Sequence, residues 1–565
     1  MINVRIDNMD YSFENEITIL EAARSVGIYI PSLCFLKGIN KSGSCRVCMV
    51  EARGRLVPAC ATNIYEGLEV LTNSKKVREV RKTILQLIAA DHEFNCGTCI
   101  RNSNCELKKL CEIYNIRDEY FDKIDKNFAI DDSSCSVVRD QNKCIKCGRC
   151  IAACNEKQRT GILTFANRAE NYIMTTYFNK DLKDTRCISC GQCTKVCPVG
   201  AIHEKESFDE FWEAIDNPNK HVVVQIAPAV RVTVGKEFNI ECDDISPKMV
   251  TVLKQLGVDK VFDTNFSADL TIMEESGELI NRLQNGGKLP LFTSCSPGWV
   301  NYVEKHCAEL IPNLSSCKSP QQMFGAVAKT YYAEKVGIKP EDITVVSIMP
   351  CTAKKYEANR DEFNKNGIKD VDIVLTTREL VRLIKQSGLN LSLVKDTEYD
   401  SPLGEATGAG AIFGTTGGVM EAALRTAYEK LTNTTLENVD FLDVRGDGTV
   451  KEAVVKINDM DVKVAVVNGL ENIDEFMEKF KTNEYTFVEV MCCPGGCIGG
   501  GGQPHDVSKE TLLQRRKSMY NIDKNKSLRK SHENPEIIKL YKEYLGEPCS
   551  HKAEEILHTT YTSKM

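Results

Sequence analysis

The sequence predicts a multidomain fold that is α+β in its N-terminal part and α/β in its C-terminal part. The chain of 565 residues is longer than one hydrophobic core usually supports. Most of its cysteines are grouped before residue 200, among short strand, helix and loop patterns. From about residue 208 onward, apolar strand-like runs alternate with helical patterns, which indicates an α/β domain.

Composition and charge exclude several classes of protein. An apolar fraction of 42% and a charged fraction of 27% are typical of soluble globular proteins. No run of about 18 apolar residues occurs, and the N-terminus lacks the basic and apolar regions of a signal peptide. The net charge of −7, with no long basic run, gives no electrostatic site for nucleic acid. We therefore expect a cytoplasmic protein that binds neither membranes nor nucleic acid.

The cysteines carry most of the functional information. Of 26 cysteines, 15 fall into four tight groups before residue 200. This spacing suits ligands gathered round one metal centre better than ordinary disulfide pairs. Zinc is the alternative to an iron–sulfur cluster for each group.

The first group accompanies strand patterns at residues 2–7 and 48–51 and a helix pattern at 17–27 that ends at a glycine. It has the spacing C-x10-C-x2-C-x11-C and comprises Cys34, Cys45, Cys48 and Cys60. Zinc ribbons usually present two CxxC pairs, and this group has one. The pattern resembles the β-grasp [2Fe–2S] ferredoxin fold, which we expect over residues 1–78.

The second group has one histidine and three cysteines, a composition that also suits zinc. It comprises His92, Cys96, Cys99 and Cys105. Its position after a β-grasp domain resembles the [4Fe–4S] module shared by [FeFe]-hydrogenases and the electron-input subunits of respiratory complex I. The resemblance implies a [4Fe–4S] domain with one His and three Cys ligands over residues 79–125. A neutral imidazole ligand makes a cluster less negative, which tends to raise its reduction potential.

Two C-x2-C-x2-C-x3-C runs follow, and the second continues into Pro198. They predict a bacterial 2[4Fe–4S] ferredoxin-like domain over residues 126–207, in which the fourth cysteine of each run ligates the other cluster. One predicted cluster is held by Cys144, Cys147, Cys150 and Cys197, and the other by Cys187, Cys190, Cys193 and Cys154. Four clusters in series imply a further redox site to which they carry electrons.

The C-terminal part alternates strand-like runs at 221–228, 260–266, 343–350 and 462–469 with helices such as 248–256 and 319–335. A nucleotide site is the obvious alternative for such a domain. However, the glycine-rich segment 408–414 has Phe413 where the dinucleotide fingerprint needs its third glycine, and no Walker-type GK[ST] occurs.

Three segments carry a family resemblance, and it covers essentially the whole chain. They are TSCSPGW (293–299), MPCTAKKYE (349–357) and EVMCCPGGCIGGGGQP (489–504). They resemble the segments that hold the H-cluster of the monomeric [FeFe]-hydrogenases, a [4Fe–4S] cubane bridged through a cysteine sulfur to a two-iron unit with CO, CN and dithiolate ligands. The resemblance implies an α/β H-cluster catalytic domain over 208–505 and a small-subunit-like tail over 506–565 that wraps it.

The resemblance also implies roles for individual residues around the H-cluster. Cys351, Cys493 and Cys497 match cubane ligands, and Cys497 matches the bridging one. Lys354 matches a lysine that donates a charge-assisted hydrogen bond to a cyanide ligand. The pocket wall corresponds to Pro228, Gln321, Met349, Phe413 and Met491, together with Ala229 and Ala353, where well-studied members have serine. Two hydroxyl contacts near the active site are therefore expected to be missing.

A proton route is expected on the helix MEESGELINRL, where Glu275, Glu278 and Arg282 share one face because they are three and four residues apart. The family resemblance implies that they form a relay with Cys295 and Ser315. A thiol with a reference pKa near 8.5 can donate and recover a proton near neutral pH, which suits Cys295 to the end of the relay.

The fourth cubane ligand departs from the family pattern. Family members generally read TSCCP, but the second cysteine is Ser296 here, and Cys492 stands where alanine is common. Iron–sulfur clusters favour thiolates over the harder serine alkoxide. We expect Ser296 to occupy the ligand position, because the segment has no insertion or deletion and the relay needs Cys295. The alternatives are a shift that lets Cys295 ligate and, ranked last, recruitment of Cys492, which otherwise is a tuning or protective thiol.

The predicted activity is that of an anaerobic ferredoxin hydrogenase, which reversibly converts two protons and two electrons into H2. The expected partners are a soluble ferredoxin or flavodoxin and the maturation proteins that supply the two-iron unit. Basic residues among the [2Fe–2S] ligands are candidates for docking an acidic partner: Lys37, Lys41, Arg46, Arg53 and Arg55. The alternatives are a low-turnover H2 or redox sensor of the same family and an Fe–S assembly or scaffold relative with the cubane alone.

Overall fold

The computed structural model describes residues 1–117, 121–123, 126–458, 460–506 and 508–564. The chain divides into two compact units. Unit 1 comprises Met1–Thr185 and Val196–His203, and unit 2 comprises Arg186–Lys195 and Glu204–Met565. The expected domain boundary at residue 125 lies outside the described residues, and the bounds of the five sequence-based domains stay predictions.

Unit 1 begins with a five-stranded mixed sheet in the order β2-β1-β5-β3-β4. Its strands are β1 (Ile2–Ile6), β2 (Met9–Phe13), β3 (Met49–Ala52), β4 (Arg55–Pro58) and β5 (Leu68–Leu71). Strands β1 and β5 are parallel, and the other pairs are antiparallel. Helix α1 (Ile19–Ser25) starts at a capping box between Thr18 and Glu21, and its apolar face packs in the same core as the sheet. This arrangement confirms the expected [2Fe–2S] ferredoxin domain.

Apart from the 16-residue helix Lys75–Ala90, the other elements that begin before residue 204 are short. They are α2 (Lys75–Ala90), α3 (Glu106–Ile113), β6 (Val137–Arg139), α4 (Arg149–Ala152), β7 (Leu163–Ala166), β8 (Ile173–Thr176), α5 (Gln192–Val196) and β9 (Ile202–Glu204). Strands β7 and β8 form an antiparallel pair. Loops therefore make up much of the chain that carries the cysteine groups.

Unit 2 contains a parallel sheet in the order β11-β10-β13-β16. Its strands are β10 (His221–Ile226), β11 (Lys260–Asp263), β13 (Ile343–Met349) and β16 (Ile373–Thr376). Most of their residues are buried, as expected of a parallel sheet whose two faces are covered. The expected strand 260–266 is shorter than predicted, because the Asp263 carboxylate accepts a hydrogen bond from the Asn265 N–H and caps helix α10 (Thr264–Asn285).

A second sheet of unit 2 has the order β12-β19-β18-β17. Its strands are β12 (Leu291–Phe292), β17 (Val450–Ile457), β18 (Met460–Asn468) and β19 (Phe487–Met491). Strands β12, β13 and β19 lead directly into the three signature segments. Each segment therefore begins at the carboxyl end of a parallel strand, where α/β proteins usually bind ligands.

The remaining elements of unit 2 are mostly helices that cover the sheets. They are α6 (Phe208–Asp216), α7 (Pro228–Arg231), α8 (Val234–Glu237), α9 (Ser246–Gln255), α11 (Pro297–His306), α12 (Pro320–Val327), α13 (Ala333–Val336), α14 (Ala353–Ala358), β14 (Asn364–Lys365), β15 (Ile368–Lys369), α15 (Thr377–Gln386), α16 (Gly408–Ile412), α17 (Gly418–Thr432), α18 (Ile473–Phe480), α19 (Lys509–Asn525), α20 (Pro535–Leu540) and α21 (His551–Leu557). Within the described part of the chain, no helix is long and apolar enough to cross a membrane.

The loop Arg186–Lys195 belongs to unit 2, so the expected ferredoxin-like segment 126–207 is divided between the two units. Hydrogen bonds explain this placement. The Thr352 hydroxyl donates to the Ser189 carbonyl at 2.8 Å, and the Lys195 ammonium donates to the Gly499 carbonyl at 3.0 Å. Three cluster cysteines of this loop are thereby held against the catalytic segments.

Candidate active site and cluster sites

The four cysteines of the first group lie together in unit 1. The Cys34 thiol makes hydrogen-bonding contacts with the thiols of Cys45 and Cys60, and Cys48 makes one with Cys60. The Cys34 backbone N–H also donates to the Cys45 sulfur at 3.4 Å. Four converging thiols with backbone donors are a suitable donor set for a [2Fe–2S] cluster.

The His92 ring is buried and is oriented by a contact with a backbone carbonyl. Its Nδ1 lies 2.9 Å from the Lys143 carbonyl, which leaves Nε2 available for a metal. Burial lowers the pKa of His92 to about 4, so the imidazole is neutral at pH 7, as a ligand must be. Cys96 lies in the turn Cys96–Thr98, and Cys105 caps α3.

The next predicted cluster site is an apolar cavity of unit 1. Cys144, Cys147, Cys150 and Cys197 all line it, so the structure brings the last cysteine of the second run to the first three of the first run. The other wall residues include Phe165, Met174 and Ile202. This crossed arrangement is the one that the two-cluster spacing predicts.

The ligands expected for the other cluster are divided between the two units. Cys154 lies in the helical turn Ala153–Lys157 of unit 1, within 3.2 Å of the Thr160 hydroxyl. Cys187, Cys190 and Cys193 lie in the loop that belongs to unit 2. Their joint ligation of one cluster stays a prediction.

One largely apolar cavity of unit 2 brings the three signature segments together. Every expected pocket residue lines it: Pro228, Ala229, Gln321, Met349, Ala353, Lys354, Phe413, Met491 and Cys492. It is also lined by Cys295, Ser296, Cys351, Cys493 and Cys497. Residues more than 250 positions apart in the chain thus meet at one site that suits a thiolate-bound cofactor.

The glycine run 499–502 lets the chain pass very close to the other cluster segments. A Cβ at Gly500 would lie 2.1 Å from the Pro350 carbonyl oxygen, and one at Gly501 would lie 2.1 Å from the Cys190 carbonyl oxygen. Backbone cannot yield to such contacts, so only glycine fits at these two positions. The Cys493 sulfur accepts hydrogen bonds from Gln192 and from the Gly501 N–H, as cluster thiolates commonly do.

Lys354 is held at the cavity by neighbours that sequence analysis missed. Its ammonium donates to the Ser319 hydroxyl at 2.7 Å, to Glu357 Oε2 at 2.9 Å and to the Cys295 carbonyl at 3.3 Å. Glu357 also accepts from the Gln321 amide at 3.1 Å. The position of Glu357, three residues after Lys354 on a helix, was a signal that could have identified it.

The expected relay residues lie in one connected arrangement. The Ser294 N–H donates to Glu275 Oε1 at 3.3 Å, and the Ser315 hydroxyl contacts Glu275 and donates to Glu278 Oε2 at 2.7 Å. The Arg282 guanidinium donates to Glu278 Oε1 at 2.6 Å. Burial, followed by the negative charge of Glu278, raises the pKa of Glu275 to about 8.

The relay residues become more exposed with distance from the cavity. Glu275 is 0% exposed, whereas the side chains of Glu278 and Arg282 are 12% and 15% exposed. Burial and the charge of Glu275 raise the pKa of the Cys295 thiol, which therefore stays protonated at neutral pH. This change in exposure suits a proton route between the cavity and the surface, and that route stays a prediction.

His558 of the C-terminal tail is another residue that sequence analysis missed. Its Nδ1 lies 2.8 Å from the Ser316 hydroxyl, and the Ser316 N–H donates to Glu278 Oε2 at 3.1 Å. Its Nε2 lies 2.9 Å from Glu274. No local motif marks His558, because only the folding of the tail brings it to the relay.

Comparisons with known families cover most of the chain. The matched families are described as 2Fe-2S iron-sulfur cluster binding domain (1–75), NADH-ubiquinone oxidoreductase-G iron-sulfur binding region (81–119), 4Fe-4S dicluster domain (143–201), iron only hydrogenase large subunit, C-terminal domain (220–501), and iron hydrogenase small subunit (509–564). These matches confirm the expected cluster domains and the catalytic fold.

Individual relatives match over their whole length. The chain is 47% identical to the NADP-reducing hydrogenase subunit HndD of Solidesulfovibrio fructosivorans, over 99% of each protein. It is 44% identical to iron hydrogenase 1 of Clostridium pasteurianum, over 99% of this chain and 100% of that one. A solved structure of apo [FeFe]-hydrogenase HydA1 from Chlamydomonas reinhardtii matches with a TM-score of 0.56 and 44% identity, over 62% of this chain and 96% of that chain. The chain therefore belongs to the clostridial type of [FeFe]-hydrogenases and is an oxidoreductase that acts on H2.

Proposed function

We propose that this chain reversibly reduces protons to H2 with electrons that a soluble ferredoxin or flavodoxin delivers to its iron–sulfur clusters. The cavity that brings the three signature segments together, with Cys295 and Lys354 in its wall, is the single observation that carries this proposal. It combines sites for thiolate ligands, a lysine donor and a proton route within one compact unit.

The proposed cofactors are one [2Fe–2S] cluster, three accessory [4Fe–4S] clusters and the H-cluster. Cys351, Cys493 and Cys497 would hold the cubane, and the apolar wall of Met349, Phe413 and Met491 would enclose the two-iron unit. When bound, the H-cluster supplies the redox chemistry that joins protons and electrons into H2. Maturation proteins would supply its two-iron unit.

The protein's own residues would manage the proton. We propose that Cys295 holds a proton at its sulfur beside the cavity and that Glu275 restores it. Glu275 is neutral at pH 7 because its pKa is about 8. It therefore already carries a proton that it can donate to Cys295. Ser315 and Glu278 then connect Glu275 to the surface, where Arg282 orients the Glu278 carboxylate.

Lys354 would position the anionic two-iron unit. Its ammonium lies at the cavity wall and is oriented by Ser319 and Glu357. A charge-assisted hydrogen bond from such a fixed ammonium is stronger than one from a neutral donor. Arginine would not replace it well, because the planar guanidinium is larger and differs in geometry.

The electron partner has two candidates. The five basic residues near the [2Fe–2S] ligands are exposed, which supports docking of an acidic ferredoxin or flavodoxin. A relative over the whole chain is named as a subunit of an NADP-reducing hydrogenase, which supports a partner subunit that exchanges electrons with NADP. The cytoplasmic location agrees with either partner and stays part of the proposal.

The test combines infrared spectroscopy with donor-specific assays on matured full-length protein. We expect CO and CN stretching bands, H2 evolution with reduced ferredoxin, and little with NADPH alone. Absence of those bands would refute the H-cluster, and a lack of H2 evolution by the matured chain with reduced ferredoxin or flavodoxin, although a small dye drives it, would refute the ferredoxin assignment. CO and CN bands together with very slow H2 turnover would favour the sensor. The observation that supports the sensor is the presence of alanine at 229 and 353, where well-studied members have serine.

A further inference from the structure

The active-site cavity contains several groups that compete for the fourth position on the cubane. Besides the three expected ligands, it is lined by Cys295, Ser296 and Cys492. Cys190 also reaches the cavity but belongs to the predicted accessory cluster. Sequence spacing favours Ser296 as the fourth cubane ligand. In the structure, the candidates differ in the part of the cavity wall on which each lies.

Cys295 lies on the wall of the cavity that would face the two-iron unit. It packs against the apolar cluster that contains Phe413 and Met491. Cys492 and Cys493 are instead buried in a different apolar cluster, against which Cys190 packs. Cys492 therefore packs together with an expected cubane ligand, Cys493, and with an expected ligand of the neighbouring cluster, Cys190, whereas Cys295 packs with the apolar wall of the pocket.

The Cys492 sulfur lies among other cluster sulfurs. It makes hydrogen-bonding contacts with the thiols of Cys190 and Cys493. Contacts of the same kind join the four thiols of the [2Fe–2S] group, where the sulfurs converge on one expected cluster. Cys492 is thus arranged as a member of a ligand group and not as an isolated thiol in a core.

Cys492 also lies next to the backbone that carries Ser296. A Cβ at Gly298 would be 2.6 Å from the Cys492 sulfur, and Gly298 is two residues beyond Ser296 in the first turn of α11. The Cys492 sulfur therefore occupies space beside the position from which a cysteine at 296 would ligate.

Adjacency to Cys493 does not prevent Cys492 from facing the cavity. In a strand, successive side chains point to opposite faces, but β19 ends at Met491. The chain then turns through Gly495 and Gly496, both with positive φ angles, of 79° and 90°. Both Cys492 and Cys493, which follow the end of the strand, line the cavity.

Ser296 has a structural role that does not need a metal. Its carbonyl accepts hydrogen bonds from the Trp299 and Val300 N–H groups at 3.0 and 3.1 Å, which starts α11. Its hydroxyl makes no capping bond. A serine hydroxyl must lose a proton at much higher cost than a thiol before it can bind iron, and the resulting alkoxide is a harder ligand.

We infer that Cys492 supplies the fourth thiolate of the cubane and that Ser296 does not ligate it. The cysteine at 492 then compensates for the thiolate that the serine at 296 cannot supply. On transfer of the cluster from a thiolate-bearing carrier, the Cys492 sulfur would form one Fe–S bond, one Fe–S bond to the carrier would break, and the Cys492 proton would pass to the departing carrier thiolate, with no electron transfer. The inference rests on the proposed function, because it requires the cubane of the H-cluster.

The test uses full-length protein made without maturation proteins, so that the cubane is loaded but the two-iron unit is not. Paramagnetic resonance and iron analysis compare Cys492→Ala, Ser296→Ala and the double variant Cys492→Ala/Ser296→Cys. We expect Cys492→Ala to lose about one iron per chain and to show an oxidised [3Fe–4S] signal, because one iron loses its thiolate. We expect Ser296→Ala to show neither change, and the double variant to regain the intact cluster.

Matched controls and opposite outcomes make the inference refutable. Cys307→Ala removes a thiol that packs against the same apolar cluster and should leave the cubane intact. A [3Fe–4S] signal in Ser296→Ala but not in Cys492→Ala would identify Ser296 as the ligand. A signal confined to Cys295→Ala would identify Cys295, and no signal in any variant would mean that three thiolates suffice; each of these results overturns the inference. If Cys492→Ala fails to fold, the double variant and Ser296→Ala still decide.

The failure of this inference is distinguishable from failure of the proposed function. Infrared bands of CO and CN in the matured wild type report the two-iron unit and are independent of the cubane variants. Bands in the wild type together with an unchanged cubane in Cys492→Ala would refute the ligand assignment alone. Missing bands in the wild type would refute the proposed function, whatever the variants show.

Discussion

The Ser315 hydroxyl donates a 2.7 Å hydrogen bond to Glu278 Oε2, and this contact joins the buried and the partly exposed halves of the proposed relay. Glu275 lies on the buried side of Ser315, and Arg282 contacts Glu278 on the other side. A proton that moves between the cavity and the surface by this route must pass Glu278.

Glu278→Gln is expected to lower H2 evolution by about 100-fold or more, since an amide keeps the shape of the side chain but cannot exchange a proton as a carboxyl does. The infrared bands of the cofactor should be unchanged. The exposed Glu309→Gln serves as the control for a charge change at the surface. Retention of most of the wild-type rate by Glu278→Gln would remove Glu278 from the relay.

Glu275 is expected to be protonated at neutral pH and to lose its proton with a midpoint near pH 8, because burial and then Glu278 raise its pKa to about 8 from 4.5. Infrared difference spectra between pH 6 and pH 9 should show loss of a carboxylic-acid C=O band in the wild type. Glu275→Gln should lack this band change. A band already absent at pH 6 would contradict the raised pKa.

The same pKa shift predicts how stability depends on pH. The folded state holds the Glu275 proton up to about pH 8, whereas the unfolded chain releases it near 4.5. The contribution of this group to the free energy of unfolding therefore falls as pH rises from about 4.5 to about 8. The total loss is on the order of a few kcal/mol and is complete above that range. Glu275→Gln should remove this component of the pH dependence.

Ferredoxin docking is expected to depend on exposed basic residues of the β-grasp domain. Arg53 and Arg55 are exposed, and the Arg53 guanidinium lies 5.3 Å from the centre of the Tyr65 ring. Reversal of both to glutamate should lower the ferredoxin-linked rate at low salt and leave the rate with a small dye unchanged, since surface steering is screened by salt.

The matched control for ferredoxin docking is the double reversal of Lys75 and Lys82, which are exposed on α2 and change the net charge equally. Rates with each donor are measured from about 20 to about 300 mM salt. Over this range the Debye length falls from about 20 Å to below about 8 Å. Equal losses with ferredoxin and dye in the Arg53/Arg55 variant would show that this surface does not dock the donor.

The C-terminal tail is anchored by a buried ion network. Arg425 is 0% exposed and forms two 2.9 Å hydrogen bonds to the Asp523 carboxylate and one of 2.6 Å to Glu421. Arg425→Met should lower the free energy of unfolding by about 3 kcal/mol, because the buried Asp523 and Glu421 carboxylates lose the cation that they share and keep only Arg529 and Arg445, respectively.

Urea unfolding followed by tryptophan fluorescence tests this anchor, since both tryptophans, Trp212 and Trp299, belong to unit 2. Arg516→Met is the control, because Arg516 pairs with Asp447, whose side chain is 68% exposed, and should cost less than about 1 kcal/mol. Similar losses in the two variants would mean that the buried network does not dominate the docking of the tail.

The sequence by itself determined the fold class, the cluster-binding character and the family, because cysteine spacing and signature segments are local properties. The two C-x2-C-x2-C-x3-C runs also predicted that Cys197 joins Cys144, Cys147 and Cys150, and the structure places all four at one cavity. Spacing suffices there because the connection between the two runs follows a recurrent pattern.

Tertiary structure decided what depends on contacts between distant segments. It placed Glu357 and Ser319 on Lys354, and it brought His558 of the tail to Ser316 beside the relay. It also ended β11 at Asp263, where a side-chain cap overrides the apolar pattern. The side on which Cys492 faces depends on the turn after β19 and on the packing of α11, neither of which periodicity encodes. For that reason spacing ranked Cys492 last among the candidate ligands, whereas its position among the cluster sulfurs ranks it first.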